Sequence, residues 1–446
     1  MLIRFAVENY NSFKGRQVFS MAAGKQTRHV SHCFTVEGKR LLKSSFFFGA
    51  NASGKSNFVR ALDFMRRVTL MGICEMRYND RFFRIDPECK EKPGVFQIDF
   101  ISEKTIYSYG FAINYLTYEF CAEWLYRIDS SEKETCIFER EQGKQIISNL
   151  RLNKNSEIRF GIYCEDLKAD ELLLNEVGNK KIDEDSDLYD FILAYEWFKK
   201  LIVVYPGSYA RNKNDFFLNP AYDTDSMVGM LRAFDTGIEE ITKGKQLAEK
   251  AFDFLPEKVK KDVLNDIEQT MRSKLQEGAR CKIELEGYQF EISIEDGEII
   301  AEKIMLDHGN PAELFEISDE SDGTKRLFDL IPLYEFGKKG KIIIVDELDR
   351  SFHSKLTENY IKRFFEITKE NSCQLICTTH DLNLMDLRIL RQDEIWFVER
   401  EIDHSTRIYS LSDYKERFDK NVLNDYLIGR YGAIPCIQDN EWQEDN

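Results

Sequence analysis

The apolar run Phe46-Phe47-Phe48 leads into Gly49-Ala-Asn-Ala-Ser-Gly54-Lys55-Ser56. The spacing Gly-x4-Gly-Lys-Ser is that of a loop that wraps phosphate. The two glycines let the backbone curl until its N–H groups face phosphate oxygens. Lys55 reaches the β/γ-phosphates, and the Ser56 hydroxyl can ligate Mg²⁺. Asn51, Ala52 and Ser53 form the body of the loop. Asn57 opens a helix (Phe58, Leu62, Met65) whose positive end faces the anion. A buried strand before and a helix after are the context the motif needs, so the chain is expected to bind a nucleoside triphosphate with Mg²⁺.

A second group of acids follows another apolar run. Ile342–Val345 ends in Asp346-Glu347, the form of a Walker B strand. There Asp346 would hold Mg²⁺ through water and Glu347 would polarise the attacking water. A strand that merely ends in two surface acids has the same letters; the upstream phosphate loop is what favours the catalytic reading. Thr378-Thr379-His380-Asp381 closes the next apolar run, Gln374–Thr378. Ligands of parallel sheets sit outside the carboxyl ends of the strands, so His380 is placed to touch a γ-phosphate. A third motif, Ser321-Asp322-Gly323, opens a helix with small residues and could face phosphate; by itself it is a helix cap.

The order of these motifs separates nucleotide-binding classes. It runs phosphate loop, capped helix, Walker B, histidine. A GTPase needs Asn-Lys-x-Asp at a strand end. Asn212-Lys213-Asn214-Asp215 has those letters but follows Ser-Tyr-Ala-Arg, so it reads as a loop coincidence.

Composition narrows the classes further. The 446 residues are 43% hydrophobic and 31% charged, enough for a core in two or three domains. A net charge of −16 argues against a wholesale nucleic-acid binder, leaving local patches such as Arg60, Arg66 and Arg67, or Lys338, Lys339 and Lys341. Such clusters are more often solvated surface. The ten cysteines are scattered without Cys-x-x-Cys, and Cys373 and Cys377 fall on one apolar strand, where sulfur packs. The first residues read as a strand and no apolar run can span a bilayer, so a cytoplasmic, membrane-free protein is expected.

Four alternating segments, Val95–Ile101, Ile106–Ile113, Glu123–Ile128 and Cys136–Glu139, predict an antiparallel set. Residues 226–277 read as helices broken at Gly237, Gly244 and Pro256, with Leu231, Phe234, Ile238 and Ile241 at helical spacing, a pattern that favours the protein's own core over a partner. Lys282–Ile294 and Ile299–Met305 read as a hairpin, and a helix over 354–368 between two buried strands predicts a parallel sheet. Ile395–Glu399 and Thr406–Leu411 suggest a closing hairpin.

Taken together, the motifs resemble an ABC-type ATPase head, in which signature residues of one subunit close over ATP held by another. The opening Phe5-Ala-Val-Glu-Asn-Tyr-Asn-Ser-Phe13 is similar to the first strand of RecF/SMC-type heads. With Gly49–Asn57, Glu320–Thr324, Asp346-Glu-Leu-Asp349 plus His353, Thr379-His380, Arg391–Phe397 and Tyr426–Pro435, the chain resembles the bacterial AAA/ATP-binding family of RloA and AbiL-type proteins, themselves similar to OLD-family, PtuA and AriA ATPases.

The resemblance implies an α/β fold: a P-loop ABC-type head with a mixed, largely parallel sheet, an antiparallel β subdomain and a helical insertion. It implies ATP hydrolysis with Glu347 and His380 catalytic and Ser56 and Asp346 at the metal. Ser321, Asp322 and Gly323 would meet nucleotide across a homodimer or higher homo-oligomer. It implies a sensor or scaffold in anti-phage defence, acting on a separately encoded nuclease or toxin, with nucleic acid or a phage protein as trigger. The alternative is a RecF-like repair ATPase stimulated by DNA. The expected divisions are 1–149 and 282–436 for the two halves of the head, 150–281 for a mostly helical insertion that makes partner or dimer contacts, and 437–446 for an acidic tail.

Departures from the family pattern leave three positions open. Asp322 stands where transporter-type signatures have glycine. The D-loop residue is Asp349 or His353, and Gln97 is a weak candidate for the Q-loop glutamine. About 65 residues follow His380, too few for an added nuclease domain of ordinary size, so no nuclease activity is expected.

Overall fold

Ser44–Phe48 is buried at every position, which alternation in a one-sided sheet would not allow. A strand with both faces covered belongs at the middle of a sheet, and that is where it lies. The computed structural model describes residues 1–73, 81–129, 133–206, 217, 223–274, 280–285, 288–414 and 420–435. The Asn212–Asp215 match and the acidic tail 437–446 lie outside the described residues.

The first half of the chain gives strands β1 (Leu2–Glu8), β2 (Gln17–Ser20), β3 (Cys33–Val36), β4 (Lys39–Leu42) and β5 (Ser44–Phe48), then helix α1 (Lys55–Met71). Strands β6 (Gly94–Ser102), β7 (Thr105–Ile113), β8 (Phe120–Ile128) and β9 (Glu134–Glu141) follow. Helices α2 (Lys154–Asp166), α3 (Leu173–Gly178) and α4 (Tyr189–Phe198) precede β10 (Leu201–Val204). After α5 (Thr224–Ala233) come β11 (Glu240–Leu247), α6 (Ala248–Ala251), α7 (Glu257–Lys274), β12 (Arg280–Leu285), β13 (Tyr288–Glu295) and β14 (Glu298–Asp307). The remainder is α8 (Asp322–Leu330), α9 (Pro332–Lys338), β15 (Ile342–Val345), α10 (Ser354–Ile367), β16 (Gln374–Thr378), β17 (Ile395–Arg400), β18 (Thr406–Ser410) and α11 (Val422–Leu427).

Two compact units result. Unit 1, Met1–Pro206 with Phe336–Asn446, holds two six-stranded sheets. One has the order β10-β15-β16-β5-β17-β18 and is parallel until β18, which turns back on β17. The other, β2-β1-β6-β7-β8-β9, is antiparallel. It contains the four predicted strands, and β1 and β2 join it. Helix α1 shares a core with both sheets: Phe58 packs on Phe5 and Phe19 from one and Phe47 from the other, and Phe64 meets Tyr10 and Phe96. Aromatic contacts of this kind, edge-to-face with Phe5 and Phe19 and tilted elsewhere, add to burial and fix the helix's rotation.

Unit 2, Gly207–Glu335, enters the chain after β10 and leaves it before β15. It contains the antiparallel sheet β11-β14-β13-β12. The expected boundaries at 150 and 281 are therefore not where the chain divides. Helices α2 to α4 belong to unit 1, where Phe160, Leu173, Phe191 and Trp197 enter the common core. Most of the regular structure described over 150–281 is helical, as expected, but one stretch is not. Glu240–Leu247, expected as helix, pairs with β14 over eight residues. Helix α5 ends at Ala233, and Asp235 (φ 59°) and Gly237 (φ 75°) turn the chain before β11. Leu231, Phe234, Ile238 and Ile241 are all buried, as own-core residues would be. The Lys282–Ile294 run is two strands, and the hairpin turns at Asp296-Gly297 as expected.

Candidate functional site

The phosphate loop begins where β5 ends. Ala52 (φ 60°) and Gly54 (φ 113°) take left-handed backbone conformations, and α1 starts at Lys55. The glycines answer to packing as well as to curvature. A Cβ on Gly49 would stand 2.2 Å from the Val398 carbonyl of β17, and one on Gly54 would stand 2.2 Å from Thr406 Oγ1 of β18. Thr406 Oγ1 lies 2.8 Å from both the Ser53 carbonyl and the Ser12 hydroxyl, and Asn57 Nδ2 donates to Ser12 Oγ at 2.8 Å. The turn after β1 and the closing hairpin thus hold the loop from outside.

Lys55 Nζ donates to the Gly49 and Ala50 carbonyls at 2.7 and 3.0 Å. Its side chain is buried, and desolvation lowers its pKa to about 8, opposed by the charges of Asp346, Asp349 and Glu347.

On the neighbouring strands the carboxyl ends of β15 and β16 are stitched together. The Thr378 hydroxyl donates to Asp346 Oδ1 at 2.6 Å and accepts from the Glu347 N–H at 2.8 Å. The Ser56 hydroxyl donates to the same Asp346 oxygen at 3.1 Å. Because β16 lies between β15 and β5, His380 emerges between the two motifs. Its N–H donates to both carboxylate oxygens of Asp349, at 3.0 and 3.1 Å. Burial, and then Lys55, push the His380 imidazole below the ordinary histidine value, which keeps it neutral at pH 7. Glu347 has φ 50°, a left-handed position for a residue with a Cβ.

A cleft of about 850 Å³ results. Residues Asn51 to Asn57 and Arg60 line one side; Glu347, Asp349, Arg350, Ser351 and His380 line the other. Asp346 is buried beneath it. A second cleft of about 410 Å³ shares Asn57 and Arg60 and adds Asn11, Ser12, Arg81, Phe83 and Arg84.

These residues fit a magnesium nucleotide. The loop is a cradle that side chains at Gly49 or Gly54 would fill, and the first N–H groups of α1 have no carbonyl a turn earlier to bind. A desolvated ammonium is served by a nearby phosphate, and Ser56 and Asp346 offer the hard oxygens Mg²⁺ takes.

The other candidates are placed as follows. Ser321, Asp322 and Gly323 lie in unit 2, where Ser321 caps α8 by accepting from the Thr324 N–H at 3.1 Å. Gln97 is inside β6, where its amide bonds Ser108 of β7 and Arg16, and it does not line the cleft. His353 caps α10 through Nδ1, whereas Asp349 is at the cleft. Sequence reasoning missed Ser12, Thr378 and Thr406. Hydroxyls of this kind carry no spacing signal, although Ser12 sits within the opening motif.

A family model described as "AAA domain, putative AbiEii toxin, Type IV TA system" matches residues 44–386. The chain belongs to this AAA family. The matched span runs from β5 past His380 and includes every motif residue of the cleft's two sides. Among solved structures, the chain is similar to an SMC head bound to the C-terminal winged-helix domain of ScpA, at 14% identity and a TM-score of 0.38 over 93% of this chain and 99% of that one. It is likewise similar to the SMC head of Thermotoga maritima (12%, TM-score 0.37, 92% and 98%). An SMC head with an extended coiled coil from Pyrococcus furiosus, bound to the C-terminal domain of ScpA, gives 15%, 0.36, 93% and 97%. No curated protein matches. The AAA-family chain has an α/β fold, with the phosphate-loop and Walker B strands in one mixed sheet and an antiparallel sheet sharing its core. Among the described residues no helix is long and apolar enough to cross a membrane.

Proposed function

We propose that this AAA-family protein binds and hydrolyses ATP, and that its ATP cycle controls a separately encoded effector in bacterial anti-phage defence. The observation that carries the ATPase reading is the bonded set Ser56–Asp346–Thr378–Glu347, which joins the Lys55 side of one cleft to its Glu347 side. Bound Mg²⁺ would supply charge neutralisation at the phosphates. Lys55 and the loop N–H groups hold the triphosphate, and Ser56 and Asp346 hold the metal. Glu347 orients and polarises the attacking water, and Thr378 fixes its backbone. His380, neutral and held by Asp349, donates or accepts a hydrogen bond at the γ-phosphate. The second cleft, continuous through Asn57 and Arg60, takes the ribose and base.

Two copies pair in this reading, with Ser321 and Gly323 of one meeting the nucleotide on Lys55 of the other. The defence role rests on the motif resemblance and on the AbiEii-type family. The test is purification of the full chain from its native operon, with Lys55→Ala and Glu347→Gln beside wild type. Lys55→Ala should lose ATP binding. Glu347→Gln should bind ATP yet turn over about 100-fold more slowly, the scale of a lost general base. A stoichiometric neighbouring-gene nuclease or toxin retained on Glu347→Gln supports effector control. A lone protein whose turnover rises with DNA refutes it in favour of a repair ATPase.

A further inference from the structure

The last described segment, 420–435, returns to the phosphate loop. The Ala433 carbonyl accepts the Ala50 N–H at 3.0 Å. That carbonyl is itself held, because the Tyr426 hydroxyl donates to it at 2.8 Å. On its other side the Ala433 N–H donates to Glu399 Oε1 at 3.1 Å. The Tyr409 hydroxyl lies 2.6 Å from the Tyr431 carbonyl and 3.0 Å from Glu399 Oε2. Tyr426 and Tyr431 both stack on Phe397 of β17.

The backbone here is specialised. Gly432 has φ 72° and Ala433 φ 56°. A Cβ on Gly432 would stand 2.6 Å from Glu399 Oε1 and 2.8 Å from the Tyr409 hydroxyl. Tyr426 thus holds the Ala433 carbonyl, Glu399 and Tyr409 hold the left-handed backbone around it, and that carbonyl meets the residue next to Gly49. Lys55 Nζ bonds the Gly49 and Ala50 carbonyls, so the Ala50 peptide is tied to the strap on its N–H side and to the lysine on its C=O side. A phosphate that draws Lys55 away leaves Ala50 held by the strap on its N–H and by the Ser53 N–H, at 3.3 Å, on its carbonyl.

We propose that residues 426–435 are a positioning strap for the phosphate loop, with Ala433 as its contact and Glu399, Tyr409 and Tyr426 as its anchors. The strap pre-sets the loop before nucleotide arrives, and nucleotide in turn orders the strap; linkage makes the two effects equal. The inference rests on the ATP-binding reading above.

The experiment measures ATP dissociation constants, KM and kcat for the full chain, with amide hydrogen exchange of 426–435 with and without a non-hydrolysable ATP analogue. Gly432→Ala, which displaces the strap, should weaken ATP binding and raise KM about tenfold, the scale of one loop hydrogen bond withdrawn, with kcat within about twofold of wild type. The analogue should slow exchange in the strap. Tyr426→Phe, which only frees the carbonyl, should shift affinity in the same direction and is the arbiter if Gly432→Ala does not fold. Unchanged affinity in a folded variant, or strap exchange indifferent to nucleotide, overturns the proposal. Lys55→Ala separates the two readings: if it abolishes binding while strap variants bind as wild type, only the strap fails. If wild type binds no ATP, both fail.

Discussion

Lys55 shows how one side chain reports on its surroundings. Its amine is desolvated and its pKa falls to about 8, below the 10.5 of the unfolded chain. Between those values the unfolded state binds more protons, so folding stability contributed by Lys55 rises with pH across that window and is unaffected below it. Phosphate beside the amine restores its proton. ATP binding at about pH 8.5 should therefore take up protons, and affinity should fall as pH rises through 8. Calorimetry in two buffers of different ionisation enthalpy measures the uptake; equal heats in both would contradict it. Glu347 gives the opposite kind of signal. Its left-handed backbone is unfavourable for any residue with a Cβ. Glu347→Gly should raise the unfolding free energy by about 0.5–1 kcal/mol, after the entropy of glycine is subtracted, read as a higher denaturation midpoint, while abolishing turnover. A midpoint that falls would mean the carboxylate itself stabilises the fold.

At the scale of elements, the phosphate loop is positioned by strands far from it in sequence. Val398 and Thr406 approach Gly49 and Gly54 so closely that the glycines are required before any ligand binds. Gly49→Ala must separate the loop from the β17 backbone, which cannot yield as a side chain would. It should cost about 1–3 kcal/mol by overpacking, read as a lower urea midpoint. Gly24→Ala, whose Cβ would stand at 3.2 Å from the end of the Asp393 side chain, should cost much less. At the other end of β10, the Asp346 N–H donates to the Val204 carbonyl and the Tyr205 hydroxyl to Asp63 of α1. The stretch that leads into unit 2 is thereby tied to the Walker B residue and to the helix behind the phosphate loop.

For the whole molecule, the ABC-type reading requires two copies, because Ser321 and Gly323 act on a partner's nucleotide in it. In a Glu347→Gln background, ATP should double the mass seen by light scattering. Adding Ser321→Arg should block that doubling while ATP affinity stays within about twofold, since pairing depends on differential binding to one arrangement. A protein that remains monomeric with ATP and Glu347→Gln would remove the trans role of the signature.

Much of this was legible from the chain alone, for a physical reason in each case. Gly49–Ser56, Asp346-Glu347 and His380 are local patterns whose chemistry depends on spacing along a strand end. Strands β5, β15 and β16 announce themselves as short apolar runs buried on both faces. Pairing partners were not legible. Leu231 to Ile241 keeps helical spacing, yet the last of these residues is in a strand because β14 offers it eight paired positions. Gln97 was drawn away from the cleft by Ser108 and Arg16 across its own sheet. Ser12, Thr378 and Ala433 fall inside quoted motifs, but their bonds to the site, like those of Thr406, arise only because the chain folds back on itself. The sequence determined which groups can do chemistry; the tertiary structure decided which backbone holds them, because a hydrogen bond between residues hundreds of positions apart leaves no trace in spacing.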